Sequence, residues 1–495
     1  MRSREGYEVA GGDVDHSEVR SGRVVRRWSG GLVLLVLVLA VVSYSFDLGP
    51  RVLGWDRPSP VTAPAEVAPP PGLTLPSPSA AASVAQPEPD QAGDPAAVRR
   101  ALAKLLHDKD LGPRVAVVVG QVSDGATVFK TGPSSITPAS TMKLLTTTAA
   151  LATLGPDHRF STAAVAGASP RDVVLVGGGD PLLARTPRGD AYPPRADVTT
   201  LAKATARSLK QLGRTRVRLG YDNTLFAGPA VNPAWPSTYI TENVVSPISA
   251  LWVDEGRERL GLAARAGDPA LAAATDFAQA LEKQGIVVRG KPRPEAAKPA
   301  AQEYAAVHSA PLAQIVQWIL EVSDNEGAEV LSRQVARAEG EPASFAGGAA
   351  AVKAVLTRLG VDTSGARILD GSGLSRDNRL APGTLLGVLE LAASDDHSDL
   401  RRVVTGLPVA GFTGSLTYRF DKGDAAGLGR VRAKTGTLTG VHVLAGLATD
   451  EDGTVFAFVA AADRVKPIHT LDARERLDEV AAALAACSCA AGPAS

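Results

Sequence analysis

The hydropathy pattern opens with an apolar run from Gly30 through Phe46, in which Leu32 to Val42 carry no polar side chain. Its 17 residues reach the short end of a membrane span and exceed most signal-peptide cores. Arg20, Arg23, Arg26 and Arg27 precede it and Asp47 follows, which places residues 1–29 in the cytoplasm as a tail. No small-x-small cleavage site follows the run, so a retained signal-anchor helix over 30–46 is expected, with secretion the outcome if the run is cleaved. Residues 47–93 are rich in proline and alanine and predict an extended linker, with Pro69-Pro70-Pro71 and Pro87-Glu88-Pro89 as examples. In polyproline form it could reach ~100 Å or more from a membrane.

Periodic folding patterns begin near Asp94. Ala97 to His107 predicts an amphipathic helix, and Arg114 to Val122 a strand that Asp124-Gly125 turns back into Ala126 to Lys130. Thr137-Pro138 opens a helix that runs through Leu144, Leu145 and Leu151 and stops at Gly155-Pro156. A stretch of different texture follows up to His308, with short strands at Val173–Val176 and Thr215–Leu219 and a helix over Val198–Leu212. Gly177-Gly178-Gly179 lacks the lysine and following helix of a phosphate loop and predicts a tight turn instead. Helical periodicity resumes over Pro311–Val322, Ala328–Glu339 and Phe345–Leu359. Strands follow at Arg430–Thr435, Val441–Thr449 and Val455–Ala461, and a helix over Ala473–Ala486 closes the pattern. The expectation is an α+β fold whose main domain comprises 94–165 and 305–490, interrupted by accessory structure over 166–304.

Composition narrows the function classes. Lysine plus arginine number 52 and so do aspartate plus glutamate, which gives no basic bias toward nucleic acid. The two cysteines, Cys487 and Cys489, stand one residue apart and read as tail residues. Seven scattered histidines without His-x-x-x-His or Cys-x-x-Cys spacing argue against a metal enzyme, and no cofactor is expected.

Three short motifs carry candidate chemistry. Ser140 and Lys143 stand three apart, so a helix puts them on one face within proton-transfer reach. Ser140 would also lie in the first turn, where free backbone N–H groups favour a developing oxyanion. Ser323-Asp324-Asn325 falls in a break between helices, and Lys434-Thr435-Gly436 at a strand end. Lys130-Thr131-Gly132 repeats the last tripeptide but precedes the serine and is taken as a hairpin end.

In this order the motifs resemble those of penicillin-binding proteins and serine β-lactamases. More narrowly, the chain is similar to the class C D-alanyl-D-alanine carboxypeptidase/endopeptidase group, peptidase family S13. Leu175–Pro181, Asp370-Gly-Ser-Gly-Leu-Ser375 and the 183-residue gap from Ser140 to Ser323 carry the narrower likeness. The resemblance implies a β-lactamase/transpeptidase-like fold, an antiparallel sheet flanked by helices with an all-helical subdomain and inserted smaller domains. It implies Ser140 as nucleophile, Lys143 as its base and Ser323 as a hydroxyl relay. Asn325 would hold a substrate amide, and Lys434 and Thr435 the terminal carboxylate. Gly436 would leave the strand edge clear, and the N–H groups of Ser140 and Thr437 would form the oxyanion hole. Burial and the Lys434 charge would both lower the pKa of Lys143. The implied partners are peptidoglycan stem peptides and, as covalent inhibitors, β-lactams, met by a catalytic region held outside the cell membrane. Two rivals are a same-fold β-lactamase or esterase and a catalytically idle wall scaffold. No Glu-x-x-x-Asn deacylation signature follows the middle motif, and a scaffold has no chemical need for Lys143 or Lys434.

Overall fold

A computed structural model describes residues 93–422 and 425–489. The expected cytoplasmic tail, membrane run and all of the linker before Gly93 lie outside them. Among the described residues no helix is long and apolar enough to cross a membrane.

The chain runs through α1 (Pro95–Leu102), β1 (Arg114–Gln121), β2 (Thr127–Thr131) and α2 (Met142–Leu154). It continues with β3 (Ser161–Ala166), β4 (Asp172–Val176), α3 (Val198–Gln211), β5 (Arg216–Asp222) and α4 (Pro269–Lys283). The short strands β6 (Val287–Val288) and β7 (Arg293–Pro294) lead into β8 (Glu303–His308). Helices α5 (Leu312–Val322), α6 (Asn325–Ala338), α7 (Phe345–Arg358) and α8 (Pro382–Ala393) follow. The fold closes with β9 (Val431–Leu438), β10 (Val441–Thr449), β11 (Val455–Asp463) and α9 (Thr470–Ala485).

Strands from both ends of the described residues meet in one antiparallel sheet, in the order β2-β1-β11-β10-β9. Period-two alternation lets each strand serve two cores. Val118, Ala457 and Val459 join the α2, α5, α6, α7 and α8 side. Val117, Val119, Phe456 and Phe458 join the side built with α1 and α9. Helix α2 is the centre of the first core, and every residue from Met142 to Leu151 is buried. A helix that is buried all round cannot be read as amphipathic, and Lys143 is inside it with the leucines.

A second sheet draws on residues 161–308, in the order β6-β5-β4-β3-β8 with β7 beside β5. β4, β5 and β6 run parallel, whereas β3 is antiparallel to β4 and β8. Leu201 and Leu209 of α3 and Phe277 and Leu281 of α4 cover one face, against Val173, Leu175, Val217 and Leu219. The Gly177–Gly179 turn packs on neighbouring backbone, with the Gly179 N–H donating to the Ala250 carbonyl at 2.9 Å.

Two expectations are corrected here. Helix α1 ends at Leu102 and resumes only as a 3-10 turn at Leu105–His107. Cys487 and Cys489 are not loose tail residues: they form a disulfide with Cα atoms 5.1 Å apart, a separation a disulfide spans readily. The Asp94 N–H donates to Cys489 O at 2.7 Å and the Glu451 N–H to Cys487 O at 3.2 Å. The segment after α9, through Cys489, is thereby tied to the cap of α1 and to the β10–β11 hairpin.

Candidate active site

Ser140 does not lie in the α-helix itself. A 3-10 turn, Ala139–Thr141, precedes α2, and Lys143 is the second residue of the helix. Ala139 sits at φ +48°, a left-handed conformation that costs a non-glycine residue about 1–2 kcal/mol. Packing from two sides holds it there. A Cβ at Gly373 would stand 1.8 Å from the Ala139 carbonyl oxygen, and one at Gly436 2.7 Å from that of Pro138. Gly436 thus has a reason to lack a side chain that the motif alone does not reveal: β9 rests on the nucleophile turn.

The three motifs converge as two lysine–serine pairs. Lys143 Nζ donates to Ser140 Oγ at 3.0 Å, to Asn325 Oδ1 at 2.7 Å and to the Ser372 carbonyl at 2.9 Å. Lys434 Nζ donates to Ser323 Oγ at 2.8 Å and to the Thr435 carbonyl at 2.9 Å. Both lysines are fully buried, whereas Ser140 is half-buried and reachable. Ser323 is the left-handed C-cap of α5, and Asp324 caps α6 by accepting from the Gly327 N–H at 2.9 Å. Asn325 is therefore the first residue of α6, and the expected inter-helix break is only two residues long.

The far edge of β9 is open where the chemistry needs it. Ala410 N donates to Val431 O, and Ala433 N to Pro408 O, so a neighbouring segment covers the start of the edge. By the period of two, Thr435 and Thr437 turn their N–H and C=O groups to the same edge. There Thr435 O already takes the Lys434 ammonium, and Thr435 Oγ1 lies 3.0 Å from Ser415 Oγ.

Burial lowers Lys143 to about 8, while Asp324, Glu329, Asp370 and Glu326 pull the other way. The expectation that Lys434 would add to this lowering is corrected. The repulsion falls on Lys434, which burial and then the Lys143 charge push well below the ordinary range. The reason is the carboxylates, which stand behind Lys143 and support its charge. Burial raises each of three acids: Asp324 well above its ordinary value, Glu326 upward against its ion pair with Arg265, and Glu329 to about 7.

Glu329 and the 370–375 loop were not identified from sequence as working parts. One turn after Asn325, Glu329 accepts from the N–H groups of Gly371 at 3.1 Å and Ser372 at 2.8 Å. That clamp aims the Ser372 carbonyl at Lys143. Asp370 accepts from Gly373 N, Ser375 N, Asn378 Nδ2 and Trp235 Nε1 and so shapes the same loop. The available signal was the four-residue spacing of Asn325 and Glu329, which puts both on one helix face. Ser372 and Ser375 are buried loop formers. His442 is buried on β10, and burial together with Arg474 and Arg419 lowers it to about 4, so it packs as a neutral ring. Asp180 is buried and caps Leu182 N at 2.9 Å. Asp110, His469 and Asp472 gather elsewhere, with His469 Nδ1 3.2 Å from the Asp110 carboxylate and 3.4 Å from that of Asp472.

This arrangement can activate a hydroxyl without histidine. A charged Lys143 uses its three N–H groups on its three acceptors. A neutral one keeps Asn325 and Ser372 as acceptors and turns its lone pair to the Ser140 hydroxyl.

Comparison with known proteins places the chain in a family. The model of the D-Ala-D-Ala carboxypeptidase 3 (S13) family matches residues 98–269 and 257–484. Carboxypeptidase DacB of Mycolicibacterium smegmatis is 36% identical over 473 residues, which cover 93% of this chain and 97% of that protein. The D-alanyl-D-alanine carboxypeptidase of Actinomadura is 29% identical over 431 residues, 72% of this chain and 79% of its own. The fold matches penicillin binding protein 4 of Haemophilus influenzae at a TM-score of 0.64 and 24% identity, covering 77% of this chain and 98% of that one. The chain belongs to the D-Ala-D-Ala carboxypeptidase S13 family.

Proposed function

We propose that this chain cleaves the terminal D-Ala-D-Ala bond of peptidoglycan stem peptides through an acyl-enzyme on Ser140. The observation that carries this reading is the pair of buried lysine–serine contacts, Lys143 on Ser140 and Lys434 on Ser323, beside the open edge of β9. An extended stem peptide adds along that edge as a further strand. Its terminal carboxylate meets Lys434 and the Thr435 hydroxyl. The carboxylate favours a proton on Lys434, and a charged Lys434 disfavours the charge on Lys143. Substrate binding thus moves Lys143 toward its neutral, basic form.

Neutral Lys143 takes the Ser140 hydroxyl proton as Oγ bonds to the scissile carbonyl carbon. The oxygen becomes an oxyanion held by the N–H groups of Ser140 and Thr437, where loss of one donor costs about 10²–10³ in rate. Collapse breaks the C–N bond. The leaving amine takes the Ser323 hydroxyl proton, and Lys434 replenishes Ser323. The proton that Lys143 took from Ser140 passes to Lys434, which restores both lysines. Water then gives a proton to neutral Lys143 as it attacks the ester, and Lys143 hands that proton to Ser140 Oγ as the ester bond breaks. Asn325 orients both Lys143 and the peptide amide. A β-lactam acylates Ser140 by the same route and lacks a departing amine, so its adduct persists. Trimming of cross-links is the same reaction on a longer leaving group.

The run over 30–46 and the linker after it support a tethered enzyme working in the wall outside the cell membrane. The test is release of D-alanine from a synthetic pentapeptide stem. Wild type should liberate it and Ser140→Ala should not; equal release by both would overturn the reading.

A further inference from the structure

The second sheet carries a feature that the peptidase chemistry does not use. Between Lys203 and Arg218 the chain has six basic side chains and no acidic one, although its overall charge balances. Folding brings three of these, Arg214, Arg216 and Arg218, together with Arg171 and Arg289 to a concave cleft of about 790 Å³. Strand alternation explains the gathering. On β5, Val217 and Leu219 point into the core, which leaves Arg216 and Arg218 on the solvent face. The parallel register pairs Arg216 with Val287 and Val217 with Val288, so Arg289 comes level with Arg218 on that same face. Arg171 enters from the loop before β4, fixed by the Arg218 N–H donating to its carbonyl at 2.8 Å.

Arg218 has a carboxylate, Asp172, at 2.7 Å, and Glu295 nearby. The other four form no ion pair with a carboxylate of the described residues. Arg214 is held by the Tyr304 hydroxyl at 2.6 Å, a neutral partner that leaves its charge unmatched. Five arginines facing one solvent-filled cleft against two carboxylates leave an excess of positive charge that attracts anions.

From this we infer that the cleft is a binding site for a linear phosphate-bearing polymer. Guanidinium forks fit phosphate oxygens in pairs, and tetrahedral phosphate accepts from several directions at once. The concave shape encloses a chain, whereas a bilayer headgroup plane would need a flat or convex surface. An enzyme of the wall would be held near its substrate by such a polymer without any demand on the Ser140 site.

The experiment measures binding of end-labelled inorganic polyphosphate to the full-length chain at low and high salt. Beside the wild type stand the triple variant Arg171→Ala, Arg216→Ala, Arg289→Ala and the single exposed change Arg216→Glu. Wild type should bind, and more weakly as salt rises. The triple variant should bind about tenfold or more weakly, and the single variant measurably more weakly. Penicillin acylation of all three should proceed at one rate, which separates this site from the proposed peptidase reading. If acylation of the triple variant falls, the single variant decides. Failure of wild type to bind polyphosphate at low salt would overturn the proposal. So would unchanged binding by Arg216→Glu, equal binding of poly-glutamate, or binding of anionic phospholipid vesicles in place of polyphosphate.

Discussion

A lysine serves as a base near neutral pH only when its charge is made costly, and here the cost is finely opposed. Complete burial lowers Lys143 to about 8, and four carboxylates behind it keep it from falling further. Penicillin acylation of Ser140 should therefore be slow where Lys143 holds its proton and rise with pH through about 8; a flat profile from pH ~6 to ~9 would contradict that assignment. Glu329 is the most informative neighbour, because it both clamps the 371–372 loop and favours the Lys143 charge. In Glu329→Gln an amide must face two N–H donors with a single acceptor. Its maximal acylation rate should fall about tenfold, by the roughly 1–2 kcal/mol of a lost charge-assisted hydrogen bond. The pH midpoint should also move down, since one supporting charge is gone. Rate–pH profiles of the two proteins check both effects. From sequence, the Ser140–Lys143 pair was legible from its three-residue spacing, and Ser323, Asn325, Lys434 and Thr435 only through the motif order that the family resemblance supplies. The acids were not, because nothing local distinguishes a buried carboxylate from a solvated one.

Among the elements, the turn at Ala139 is the joint on which the site depends. It is held at a left-handed φ by the 373 loop and by β9, two segments far away in sequence. Gly373→Ala should destabilise the protein by about 3 kcal/mol, combining a side chain at φ +87° with a clash on the Ala139 carbonyl. Denaturant unfolding measures this, and acylation should fall with it. Most strands and helices were legible in the pattern: β1, β4, β10, α3, α5 and α7 fall within a residue or two of expectation. Helix α6 starts at Asn325 and not Ala328 because Asp324 caps it, a start signal that the sequence carries. Helix α4 was missed although Asp268-Pro269 is a sound start, and α8 although Pro382 opens it. The leucine-rich face of α8 is weakly periodic, whereas α4 carries a clear apolar face through Ala270, Ala273, Ala274, Phe277 and Leu281. The 3-10 turn before α2 had no sequence signal, since packing imposes it.

For the whole molecule, the order of elements explains how distant motifs meet. The sheet joins β1 to β11, so residues near both ends of the described chain share one core with α2 at its centre. The Cys487–Cys489 disulfide closes a very short ring, so its own entropic contribution is small. Replacing both by serine should lower stability by less than about 2 kcal/mol, read from thermal unfolding under non-reducing conditions. The alternation of strands and helices made the α+β class legible, and the 183-residue gap between Ser140 and Ser323 left room for the second sheet. The mixed order of that sheet was not legible, because its strands are short and its parallel pairs depend on crossovers through α3 and α4. The account rests on one bond, the ester at Ser140. Intact-mass measurement of the full-length chain after exposure to penicillin, wild type beside Ser140→Ala, tests it directly. The account predicts a long-lived adduct of one penicillin on wild type, carried by the peptide containing Ser140, and none on the variant. An adduct on folded Ser140→Ala, or none on folded wild type, would contradict it.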